Sequence, residues 1–194
     1  MKKFCIVLIL LAGTIILNAR EDRDPLVIIK TELGNIEVEI FQDKAPISAG
    51  NFLKYVDEGK YKNSSFYRTV TLNNQPKNNV KIEVIQGGLF DKSEKYPPIK
   101  HETTKETGIL HKDGTISYAR NEPGTANTEF FICIGDQPEL DYGGRRNPDR
   151  QGFAAFGKVV KGMDVVRKIH TGSADGQMLN PKIKIYNIER IKHG

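Results

Sequence analysis

The sequence predicts a mainly β domain, a barrel or sandwich of short strands whose ends are closed by one or two helices. Three observations predict it. Several short segments carry the period-2 alternation of strands, only two carry the three-to-four-residue apolar spacing of helices, and the length suits one domain with its own core. The chain has 194 residues, 38% hydrophobic and 27% charged, with no internal repeat or low-complexity tract.

Residues 1–19 stand apart from the rest. Lys2 and Lys3 precede an apolar run from Phe4 to Leu17, and Asn18-Ala19 lead into the charged stretch Arg20 to Asp24. The run is shorter than the roughly 17–25 residues that usually span a bilayer, and a small residue marks its end, so the pattern predicts a secretory signal cut near Ala19. A lipid anchor is excluded at Leu11-Ala12-Gly13 because Thr14 stands where cysteine would be needed. The expected mature domain, residues 20–194, is periplasmic or otherwise exported, with no stable membrane insertion after cleavage.

Two strands open that domain, Leu26 to Lys30 and Ile36 to Ile40, joined around Gly34-Asn35, where positive φ is easily reached. In the second, Ile36, Val38 and Ile40 alternate with Glu37 and Glu39, giving one wet face. Pro46 begins a helix whose Ala49, Phe52, Leu53 and Val56 share a face and whose stop is Gly59. Strands follow over Phe66 to Val70 and Val80 to Gln86, separated by a polar loop from Thr71 to Asn79. Further strands are predicted over Gly114 to Ala119, Glu129 to Ile134 and Phe153 to Val160, then a helix over Met163 to Ile169 and a last strand over Lys182 to Ile191. The interval Tyr142 to Gln151 is polar and reads as a surface insertion.

Composition excludes several functions. The net charge of +5 falls to +3 when residues 1–19 are removed, because they hold two lysines and no acid among 29 basic and 24 acidic residues. The basic residues are interspersed with acids, so a nucleic-acid face is not indicated. Cys5 lies in the signal, which leaves Cys133 without an internal disulfide partner. Its place in the apolar run Phe130 to Ile134 makes it a buried small hydrophobe rather than a nucleophile. His101, His111, His170 and His193 lack ligand spacing, so no metal or cofactor is expected.

Four blocks in fixed order, Ser65-Phe66-Tyr67-Arg68, Gln86-Gly87-Gly88, Glu129-Phe130-Phe131-Ile132 and Phe156-Gly157-Lys158-Val159, resemble the cyclophilin family of peptidyl-prolyl cis/trans isomerases. The match runs through nearly all of residues 25–194. It implies a closed eight-stranded antiparallel β-barrel capped by two α-helices, with proline bound in a pocket on the outside of the barrel. Arg68 is similar to the family's catalytic arginine and Phe131 to the floor of its proline pocket. Gln86 matches a glutamine near that arginine, Val84 stands where methionine is frequent, and Ala119 and Leu140 match groove-lining residues.

Other positions depart from the family pattern. Tyr67 replaces a histidine, Arg120 an asparagine and Glu129 a glutamine; Phe153 takes a histidine position and Glu83 that of a pocket phenylalanine. Glu139 lies near the place of a tryptophan, a residue this chain lacks altogether. Without the resemblance Arg68 reads as an ordinary surface arginine. Phe130 and Phe131 must face opposite sides of a strand, and the pattern leaves open which fills the barrel; the resemblance assigns Phe131 to the pocket.

The implied chemistry suits these residues. Rotation about a peptide bond faces a barrier of about 18–20 kcal/mol, and X-Pro exchange takes roughly 10–100 s unaided. No bond breaks, so neither nucleophile nor proton relay is needed. In the twisted transition state the lone pair returns to the proline nitrogen, where a fixed guanidinium stabilises it more than in either planar form. The expected partners are proline-containing polypeptides, bound by a monomer that assists folding of exported proteins. A cyclophilin-like module that holds proline segments with little turnover is the alternative; a barrel of unrelated metabolic function finds no phosphate loop, metal set or acid/base pair.

Overall fold

The computed structural model describes residues 24–90 and 95–191; the expected signal segment lies outside them. In chain order the elements are β1 (Leu26–Thr31), β2 (Gly34–Ile40), α1 (Pro46–Asp57), β3 (Ser64–Val70), β4 (Val84–Gly88), α2 (Thr104–Thr107), β5 (Thr115–Tyr118), β6 (Phe130–Cys133), β7 (Ala154–Lys161), α3 (Met163–His170), β8 (Ala174–Asp175) and β9 (Met178–Arg190). The strands pair in the order β1-β2-β7-β5-β6-β4-β3-β9, and β9 pairs back onto β1. Eight antiparallel strands thus form a closed barrel, with the two-residue β8 folded back on the start of β9.

Alternation decides what fills it. Val27 and Ile29 on β1, Ile36, Val38 and Ile40 on β2, Phe66, Ile85, Phe130, Ile132 and Phe156 all point inward and are fully buried. Helix α1 closes one opening with Ala49, Phe52, Leu53 and Val56, the expected face. The Phe52 ring meets Phe130 edge-on at 5.7 Å and Phe156 at 5.1 Å, so one helix residue joins two strands across the core. Its start has no side-chain cap of its own; the Glu102 carboxylate accepts from the Ile47 and Ser48 amides instead. Its end is the predicted glycine stop: Gly59 has φ +63°, and the Gly59 and Lys60 amides donate back to Val56 and Tyr55. Helix α3 packs at β2, β3 and β4.

Several boundaries differ from expectation, each for a local reason. The first hairpin turns at Glu32-Leu33, two residues early, because Thr31 Oγ1 donates to the Gly34 carbonyl and accepts from the Leu33 amide. Gly34 remains necessary: its φ is +135°, and a Cβ there would sit 2.8 Å from Val165 of α3. The alternation Val80-Ile82-Val84 suggested a longer β4, but the strand begins at Val84. The Gln75 side chain satisfies the Ile82 amide and carbonyl, and so replaces a strand neighbour. The final strand starts at Met178 rather than Lys182. Beside the two capping helices there is a third, the single turn α2, held by a reciprocal cap between Thr103 and Glu106. Among the described residues no helix is long and apolar enough to cross a membrane.

Candidate active site

A second apolar cluster lies outside the barrel. Val70, Ile82, Val84, Phe131, Cys133 and Leu140 pack together there, with Ala119 and Phe153 against them. Phe130 belongs to the barrel interior and Phe131 to this outer cluster, which settles the ambiguity the strand pattern left. Cys133 is fully buried, and desolvation pushes its thiol pKa well up, consistent with an inert packing residue.

The polar side of the site depends on a bulge in β3. Phe66 pairs with Gly87 and Arg68 with Gln86, so Tyr67 is the extra residue in the ladder. Strict alternation would turn Arg68 inward with Phe66; the bulge instead lets both Tyr67 and Arg68 face outward. Across β3, β4 and β6 the residues Arg68, Gln86 and Phe131 then form one row. Gly87 in that turn of the ladder has no room for a side chain, since a Cβ would lie 2.9 Å from the Phe66 ring.

Above the row is a cleft of about 470 Å³. All ten residues singled out from the sequence line it: Tyr67, Arg68, Val84, Gln86, Ala119, Arg120, Glu129, Phe131, Leu140 and Phe153. The floor is Phe131, only 4% exposed, met edge-on by Phe153 at 5.4 Å. Beneath the floor lies His111, stacked on Phe131 at 5.9 Å, with Nδ1 at 2.7 Å from Asp141 and Nε2 at 2.9 Å from Ser117. Desolvation lowers the His111 pKa, and Asp141 opposes that shift.

Arg68 is held on two sides. Its Nη1 donates to Gln86 Oε1 at 2.7 Å, while Nε and Nη2 donate to Gln177 Oε1 at 3.1 and 2.6 Å. Gln86 Nε2 donates to the Tyr67 hydroxyl at 2.6 Å, which donates onward to Glu129 at 2.9 Å. Burial lowers the Arg68 pKa, but a guanidinium remains charged. Burial and the Glu129 carboxylate both raise the Tyr67 pKa, so its hydroxyl is a dependable donor. Lys95 lies 3.3 Å from Glu129.

Arg120 behaves differently from Arg68. Its side chain is 1% exposed, bonded to both Asp149 oxygens at 2.8 Å and to the Gly152 carbonyl. It also covers the Phe153 ring at 5.2 Å. This pair draws the Asp149 carboxyl down to about 2. Arg120 therefore fixes the 142–151 loop and Phe153, with its donors committed.

Two positions move relative to expectation. Glu83 does not line the cleft; it lies 3.8 Å from His170, and the preceding Ile82 supplies the apolar wall. Glu139 pairs outside with exposed Arg145. The site residues missed from the sequence include Gln177, Arg146, Asn147, Phe90 and Ile82. Gln177 follows the Gly176 turn and Arg146 sits in an apparent insertion, and neither place has a periodic signal.

A closed barrel with an outward cleft joining a fixed arginine to an aromatic floor is the arrangement that the resemblance to proline isomerases implies, and the wider comparisons agree. The family model described as "Cyclophilin type peptidyl-prolyl cis-trans isomerase/CLD" matches residues 26–190. The chain belongs to that family. It is 37% identical over 174 residues to a peptidyl-prolyl cis-trans isomerase of Acinetobacter baylyi, covering 87% of this chain and 82% of the relative. It is 36% identical over 160 residues to peptidyl-prolyl cis-trans isomerase B of Escherichia coli, covering 78% and 87%. A crystal structure of a Cryptosporidium parvum cyclophilin type isomerase shares the fold with a TM-score of 0.67 at 22% identity, covering 88% of this chain and 99% of that one. The same protein was also solved in the presence of the dipeptide Ala-Pro, with a TM-score of 0.65.

Proposed function

We propose that this isomerase acts on exported polypeptides, seating proline on Phe131 and stabilising the twisted amide with Arg68. The observation that carries the reading is the row Arg68-Gln86-Phe131, in which a cation fixed by Gln86 and Gln177 adjoins an apolar floor. The pyrrolidine ring rests on Phe131 among Val84, Ala119, Leu140 and Phe153, with Ile82 as a further wall. Arg68 then directs its free N–H groups to the proline nitrogen as the lone pair returns to it. Gln86 and Gln177 orient the guanidinium beforehand, so little reorganisation accompanies the rotation. The Ala-Pro dipeptide used with the Cryptosporidium structure is a ligand of the chemistry this cleft would accept.

Export rests on the sequence, where Lys2, Lys3 and the Phe4 to Leu17 run precede Ala19. The protein is proposed to be cut near Ala19 and to work as a periplasmic or similarly exported monomer. Exchange spectroscopy on a proline tetrapeptide tests catalysis, and N-terminal sequencing of the protein recovered from the envelope tests export. Absence of catalysed exchange would leave the holding module as the better reading. A full-length product confined to the cytosol refutes export.

A further inference from the structure

The polar segment after β3 and the 142–151 insertion touch each other at the cleft. Arg146, from the 142–151 loop, donates through Nη1 to Gln75 Oε1 at 2.8 Å and to the Val80 carbonyl at 2.7 Å, both in the 71–83 segment. Gln75 in turn holds Thr71 and Ile82. The joint wall is a built structure, and both Arg146 and Asn147 line the cleft with Arg68.

Charge in that cleft is unbalanced. Arg120 is neutralised by Asp149 and Lys95 by Glu129. Arg68 bonds only to two carboxamides, and the Arg146 side chain only to a carboxamide and a carbonyl, so neither guanidinium has a carboxylate among the described residues. Asn147 lies beside Arg146 on the same wall, with its buried Nδ2 lacking a hydrogen-bond partner among the described residues. Burial and the like charge of Arg68 both lower the Arg146 pKa, so an added anion would relieve what the fold leaves uncompensated.

We infer that this wall is a specificity subsite for an acidic side chain carried within a few residues of the proline, with Arg146 as its cation. The inference rests on the proposed proline-peptide reading and names its preferred substrate class. Asp or Glu supplies two acceptor oxygens, which suits the remaining donors of a planar guanidinium.

The test uses N-acetylated, C-amidated pentapeptides in Asp and Asn twins, with the variable residue either just after proline or two before it. A further Asn peptide with a free C-terminus shows whether a main-chain carboxylate is accepted instead. The protein should exchange at least one Asp peptide about tenfold more efficiently than its Asn twin, with the ratio falling as salt rises from about 0.02 to 0.3 M. Arg146→Gln should bring the ratio near one, while Arg146→Lys, which keeps the charge but not the planar fork, should retain only part of it. Arg145→Gln removes the same charge from the same loop, but Arg145 is exposed and paired with Glu139, so that variant should keep the full ratio. Twins within twofold at both positions overturn the inference, as does a ratio that survives Arg146→Gln, or a response only to the free C-terminus. If no peptide is turned over, catalysis has failed separately. Affinity by NMR titration of the same twins then decides: equal binding overturns the subsite, and tighter Asp binding supports it.

Discussion

Replacing Arg68 by alanine is the most direct challenge to the proposed chemistry. A guanidinium has five N–H donors, and Arg68 commits three of its side-chain contacts to Gln86 and Gln177, so about two donors remain for the proline nitrogen. Those contacts hold the group in place before substrate arrives, which makes it comparable to a preorganised oxyanion donor, whose loss costs about 2.7–4 kcal/mol. Arg68→Ala should therefore lower kcat/KM by about 10²–10³ with the fold retained. Arg68→Lys should recover little, since an ammonium cannot contact both carboxamides and the substrate in one plane. The assay is catalysed cis/trans exchange of a proline tetrapeptide, with circular dichroism as the control for folding. A folded Arg68→Ala protein within about twofold of the parent refutes the mechanism, and the holding module or a different catalytic group must replace it.

Gln177→Ala should lower kcat about three- to tenfold with KM little changed, the loss of an ordinary hydrogen bond that positions Arg68; an effect on KM alone would contradict that role. Phe130→Ala should cost about 3–5 kcal/mol of stability in urea, as for a fully buried ring, whereas Phe131→Ala should cost less but raise KM for proline peptides; the reverse order would overturn the assignment of the two faces. His111 is buried with its pKa lowered by desolvation, so the unfolded chain binds more protons than the folded one between the two pKa values. Its contribution to stability should thus be complete above about pH 6.5 and be lost as pH falls toward the lower folded value. His111→Gln should flatten this part of a pH series of urea midpoints, and an unchanged slope would refute it.

The barrel was legible in the sequence wherever a segment had one dry face. Ile36-Val38-Ile40 and Phe52-Leu53-Val56 state their periods openly, and the structure buries those residues. Val80-Ile82 misled because period-2 burial does not require a strand partner when a side chain such as Gln75 takes that place. The cleft was readable where it uses strand residues, including Arg68, Gln86 and Phe131. Phase was not readable at Tyr67, since a bulge leaves no mark in the residue pattern, and only the family resemblance marked Arg68 as a site residue rather than an ordinary surface arginine. Gln177 and Arg146 reach the site from loops, where position follows from tertiary hydrogen bonds rather than from local spacing.

The pairing of β9 onto β1 has a consequence for a protein whose proposed clients are extended chains. An open sheet offers unpaired amides and carbonyls along its margin, and a passing unfolded strand can zip onto them regardless of its sequence. Here β1 has β2 on one side and β9 on the other, so the backbone that would act as a template is already used within the ring. A client can be gripped through proline and its neighbours in the cleft and then let go, rather than being annexed as an extra strand.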